Sequence, residues 1–109
     1  MKLGLPIVPE LRLDLRPPDV SRAVASAMLL ADPTRAAMLA LLREGPCCVC
    51  EMAAALGERQ NNVSNHLARL REAGLVRASR HQVDARWMYY ERDEAAVGAA
   101  CDALREVLG

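Results

Sequence analysis

Apolar and polar positions along this chain follow a helical period, switch once to a strand-like period, and then return. Val20, Val24, Ala27, Met28 and Ala31 recur on one face after Pro18, predicting a first helix that opens on a proline. Asp32-Pro33 marks a second start, because aspartate accepts from free first-turn N–H groups and proline needs no partner there. That helix runs to about Arg43 with Met38, Leu39, Leu41 and Leu42 apolar, and Gly45-Pro46 stops it. A short third helix is predicted over 48–56, with Gly57 as its left-handed cap. A fourth follows over 61–73, with Val63, Leu67 and Leu70 inward and Gly74 at its end. The link Glu58-Arg59-Gln60 is tight, so the pair reads as a helix-turn-helix.

The period then shortens. Residues 75–80 and 86–91 read as two strands around a turn near 82–85, and Trp87, Tyr89 and Tyr90 all sit on the second. Asp93 caps a last helix through Leu108, with Val97, Cys101, Leu104 and Leu108 at helical spacing. The expected fold is mainly α with a β-hairpin wing, a winged helix-turn-helix in the order ααααββα. Residues 1–17, with Pro6, Pro9 and Pro17, read as an N-terminal arm, and 18–109 as one domain.

A length of 109 residues suits one domain, and a hydrophobic fraction of 52% suffices for a packed core. No apolar run approaches the roughly 20 residues that span a bilayer, and the N-terminus lacks a signal-like apolar stretch. A cytoplasmic protein without a membrane partner is therefore expected. Net charge is zero, yet Arg59, Arg69, Arg71, Arg77, Arg80, Arg86 and Arg92 face only Glu72, Asp84 and Glu91 between positions 59 and 92, a local excess of +4. An enzyme fits poorly: His66 and His81 are the only histidines, and no nucleophilic triad or glycine-rich phosphate loop stands out. No organic cofactor is expected.

The fourth helix offers Asn61, Asn62, Ser64, Asn65, His66 and Arg69 opposite its apolar stripe. Asparagine can bond adenine through two contacts, serine can bond bases or phosphates, and arginine can take guanine or phosphate. A merely solvated helix would be expected to use Glu and Lys, so this face is assigned to DNA. Arg80, His81 and Arg86 flank the hairpin tip, where a wing reaches backbone or a neighbouring groove. The bland alternatives are helix caps for Asn61 or Asn62, and a small sheet that only covers the core.

Cys47, Cys48 and Cys50 fall within four residues, and Cys101 stands alone on the last helix. Clustered thiols in an intracellular chain bind soft metals or sense redox state more often than they form disulfide frameworks. On a regular helix Cys48 and Cys50 would point to opposite sides while Cys47 and Cys50 share a face. Convergence of all three therefore requires an absent or distorted first turn. Cys101 is assigned to core or subunit interface, with a fourth ligand as the alternative.

Asp32-Pro33-Thr34-Arg35, Cys48-Val49-Cys50-Glu51, Asn62 to Leu67 and Ala73-Gly74-Leu75-Val76 occur in one order, and with them the chain resembles the ArsR/SmtB family over about 20–105. The segment 62–76 is similar to the actinobacterial cadmium/lead-sensing branch. The resemblance implies a homodimer joined through its first and last helices, bound to a double-stranded operator and released by an inducer. It also implies that Cys48 and Cys50, with Cys47 just before the box, form an inducer site for arsenite or antimonite, favoured because the arm has no thiol, or for cadmium or lead. Arg69 and Ala73 stand where the actinobacterial branch carries cysteines, and the last helix has no histidine for the zinc site of other members. A redox- or persulfide-responsive repressor is the alternative, and a winged helix that binds only protein is a third reading.

Overall fold

The computed structural model describes residues 17–80 and 87–108. Five helices and a hairpin follow in the expected order: α1 (Pro17–Leu30), α2 (Pro33–Leu42), α3 (Val49–Leu56), α4 (Gln60–Glu72), β1 (Val76–Arg80), β2 (Met88–Arg92) and α5 (Glu94–Leu108). The arm, apart from Pro17, and the tip 81–86, which carries His81 and Arg86, lie outside the described residues. Among the described residues no single helix is long and apolar enough to cross a membrane.

Each boundary has a local cause. Asp32 is extended, and its Oδ1 accepts from the N–H groups of Thr34 at 2.8 Å and Arg35 at 3.0 Å, while Pro33 starts α2 without needing a bond. Gly57 ends α3 at φ 66°, a left-handed geometry that a side chain would strain, and its N–H bonds Ala53 O. Asp93 Oδ1 accepts from Ala96 N at 2.9 Å and starts α5.

The core gathers Met38, Leu39 and Leu42 of α2, Met52 and Ala53 of α3, Val63, Leu67 and Leu70 of α4, Leu75, Val76 and Val97. The three inward positions expected on α4 are all among them, which docks the helix-turn-helix onto α2. Burial of each such side chain contributes about 1.5–3 kcal/mol. Arg92 ties β2 to α2, donating from Nη1 to Leu39 O at 3.0 Å in that helix's last turn, with Nη2 2.9 Å from Glu94.

Two expected faces differ. On α1 it is Ala23 that is buried, with Leu29 and Leu30 packed on the core, while Val24 is 50% and Met28 70% exposed. The apolar stripe is wider than one side of the helix. Cys101 is exposed in the single chain, not part of its core, because α5 turns Val97 inward, flanked by Ala96 and Ala100.

The carboxylate bonds that cap α2 hold Asp32 below the usual carboxylate range, most strongly through the N–H of Arg35. A group depressed in the folded state contributes stability above its unfolded value and loses it as pH falls through the folded value. Asp32→Asn is therefore expected to lower the urea midpoint at neutral pH and narrow the gap from native as pH drops below about 4. Parallel urea curves across pH 2–7 check this.

Candidate inducer site and DNA-facing surface

The thiol segment enters the helix-turn-helix in an extended conformation. Cys48 is the N-cap of α3, at φ −88° and ψ 169°, and so lies outside the helix. Its N–H donates to Glu51 Oε1 at 2.9 Å, and the backbone N–H of Glu51 faces the Cys48 sulfur, a reciprocal cap. Because Cys48 precedes the first turn, its sulfur does not oppose that of Cys50. The two Sγ atoms are 3.1 Å apart. For this pair the condition for convergence, an absent first turn at Cys48, is met, because the 100° step applies only to residues within a helix.

Cys47 behaves differently. It forms an antiparallel bridge with Tyr90, with Cys47 N to Tyr90 O at 3.0 Å and Tyr90 N to Cys47 O at 2.8 Å. Its thiol packs against the core and turns toward Gly45 O at 3.7 Å. Successive residues of an extended chain point to opposite faces, which separates Cys47 from Cys48. Among the described residues no three Cys, His, Asp or Glu side chains gather as a metal would require. The structure thus brings together two of the four thiols; Cys47 and Cys101 stand apart.

Burial and the hydrogen bond shared with Cys50 push the Cys48 thiol up to about 11, while burial and the Glu51 charge raise Cys47. Cys48 is thus held as a thiol at neutral pH, and a soft ion must displace its proton. Tyr89 is raised too, by burial first and then by the charges of Glu51, Cys48, Cys50 and Cys47. Sequence reasoning treated Tyr89 only as cover for the core; its position opposite the thiol segment depends on a bridge between residues 43 positions apart in sequence.

On α4, Asn61, Ser64, Asn65 and Arg69 are exposed. Asn62 is half-buried and donates to Glu58 Oε1 at 2.7 Å, one turn back. His66, expected on the DNA-facing side, turns inward to α2. Its Nδ1 is 3.2 Å from Arg35 Nη1 and its Nε2 3.9 Å from Asp32 Oδ1. Since arginine only donates, Nδ1 is the acceptor in that contact. Arg35 also donates from Nε to Leu29 O at 2.6 Å, closing the end of α1. His66 lies beside the inward stripe of Val63, Leu67 and Leu70, which explains its burial. Arg69 is on the same flank and borders a groove with Arg22, Ser26 and Leu29 of α1. Arg80 is exposed at the end of β1.

Residues 32–78 match the family model described as bacterial regulatory protein, arsR family. The chain is 50% identical over 62 residues to the arsenic resistance transcriptional regulator ArsR1 of Pseudomonas putida, covering 56% of this chain and 46% of that protein. It is 44% identical over 63 residues to the arsenical resistance operon repressor of Escherichia coli, covering 57% and 51%. The matched stretch thus spans about half the length of these two relatives. A regulator of Mycobacterium tuberculosis, CmtR, is 39% identical over 79 residues, covering 72% of this chain and 64% of its own. Among solved structures, the AntR antimony-specific transcriptional repressor superposes with a TM-score of 0.68 at 28% identity, covering 95% of each chain.

Proposed function

Because this chain belongs to the arsR family of bacterial regulatory proteins through residues 32–78, we propose that it represses transcription as a dimer on operator DNA and lets go when a trivalent metalloid binds Cys48 and Cys50. The observation that carries the reading is the 3.1 Å separation of these two sulfurs at the entrance to the helix-turn-helix. Relatives are named for arsenic and antimony, which supports the choice of ion.

The donor set fits such an ion. At the roughly 2.3 Å of a zinc–thiolate bond, sulfurs 3.1 Å apart subtend about 85° at a shared ion, well below a tetrahedral angle. A trivalent metalloid with a lone pair is pyramidal and takes narrow angles. Two thiols condensing with one neutral trihydroxide form two sulfur bonds, and their protons leave with two hydroxides as water. The third position keeps its hydroxide, so Cys47 stays in the core and Cys101 takes no part.

The sulfur of Cys48 has two tasks that compete. In the free protein it faces the Glu51 N–H as part of the cap of α3. An ion on that sulfur takes up the lone pair turned to the Glu51 N–H, loosens the cap and lets α3 shift against α4, so no unwinding of a formed turn is needed. A cap is worth about 1 kcal/mol; coupling of 1–3 kcal/mol between sites changes affinity about 5–150-fold. On α4, Asn61, Ser64 and Asn65 meet base edges, Arg69 takes phosphate, and Arg80 and Arg86 serve the wing. Val24 and Met28, exposed on α1, cover the same face of a second copy.

The test is titration of the reduced protein, bound to a labelled operator fragment, with arsenite, antimonite, cadmium, lead and zinc in turn. Release by arsenite or antimonite at the lowest concentrations, lost in Cys48→Ser, is expected. Release only by a mild oxidant, and reversed by reductant, would sink the reading.

A further inference from the structure

The bridge between Cys47 and Tyr90 fixes more than the course of the chain. These two residues exchange both backbone hydrogen bonds, at 3.0 and 2.8 Å, which makes them a hydrogen-bonded antiparallel pair. One step along, the antiparallel pattern of that bridge sets Cys48 opposite Tyr89, a non-hydrogen-bonded position, where facing side chains come closest. Cys48 is extended, as this pairing requires. Since side chains alternate, Cys48 and Tyr89 share one face while Cys47 and Tyr90 share the other. Tyr90 and Cys47 do pack on the core. Cys50, 3.1 Å from Cys48, completes the group on the Tyr89 side. Tyr89 is half-buried on this strand.

We propose that Tyr89 is a positioning residue for the ion site, its phenol O–H donating a hydrogen bond to the Cys48–Cys50 sulfurs once they carry an ion. The inference rests on the two-thiol reading of the site. An ion-bound thiolate keeps lone pairs and part of its negative charge, so a phenol is a suitable donor and the bond is charge-assisted. The bond stabilises the loaded pair. It also ties that pair to β2, whose partner strand β1 leads into the wing, so the ion acts on the wing as well as on α4.

Partners of this kind change ion affinity about 10–100-fold when removed. Tyr89→Phe, which removes only the hydroxyl, is expected to weaken arsenite binding about tenfold, measured by competition with a small dithiol. It should also shift the ultraviolet absorption of the sulfur–arsenic bonds, which a purely structural role would leave in place. Ion-free DNA affinity and thermal unfolding should match native. Tyr90→Phe, whose ring lies on the other face, should bind arsenite as native does.

Native arsenite affinity and an unshifted band in Tyr89→Phe would overturn the proposal while leaving the two-thiol site standing. Failure of the folded native protein to bind arsenite would remove the site and this inference together. Should Tyr89→Phe misfold, Tyr90→Phe leaves Tyr89 as the chain's single tyrosine. Arsenite must then change the tyrosine ultraviolet difference spectrum of that variant, and an unchanged spectrum overturns the proposal.

Discussion

Cys50→Ser is expected to make arsenite about 10²–10⁴-fold less effective at releasing the protein from DNA, whereas Cys47→Ser should shift release by no more than about threefold. The contrast follows from where the sulfurs stand. With Cys48 and Cys50 only 3.1 Å apart, the second sulfur–ion bond closes within one molecule, and its loss removes the whole gain of the linked pair. Cys47 sits on the opposite face, held by its bridge to Tyr90 and packed on the core, so serine there removes no bond to the ion. Electrophoretic mobility shifts of the three proteins over an arsenite series read the difference directly. Equal large losses in both variants would mean that Cys47 leaves the core to become a third ligand, and the two-thiol site would be wrong.

The architecture was legible because each boundary is written locally. Asp32-Pro33, Gly57 and Asp93 act within three or four residues of themselves, and the order of helices and strands follows from them. The inward face of α4 was legible for the same reason, since Val63, Leu67 and Leu70 keep a single period.

The site was less so. Whether Cys48 lies inside α3 or one position before it reverses the direction of its sulfur, and periodicity does not resolve a boundary to one residue. Cys47 and Tyr89 owe their faces to a bridge between distant segments, which leaves no mark in the spacing of either. His66 looked polar and therefore outward. Its burial depends on Arg35 and Asp32, which meet it across 31 and 34 positions of sequence. On α1 the apolar positions are more numerous than one face needs, so the chain alone did not say that Ala23 turns in and Met28 out.

Leu70→Ala should cost about 2–5 kcal/mol, because Leu70 is fully buried and its removal leaves a cavity among side chains held in place by four elements. For a domain of this size that lowers the melting temperature by roughly 10 °C or more. Asn65→Ala, five residues earlier on the same helix, should behave in the opposite way. Asn65 is exposed, so stability should change by less than about 0.5 kcal/mol. A paired contact to a base is worth about 1–3 kcal/mol, so affinity for the operator should fall about 5–150-fold. Thermal unfolding and DNA titration of both variants therefore separate the two faces of α4. If Asn65→Ala bound the operator as native does, that face would not read DNA, and the repressor mechanism would lose its recognition helix. If Leu70→Ala kept native stability, α4 would not be docked as described, and a shift of α3 could not move it.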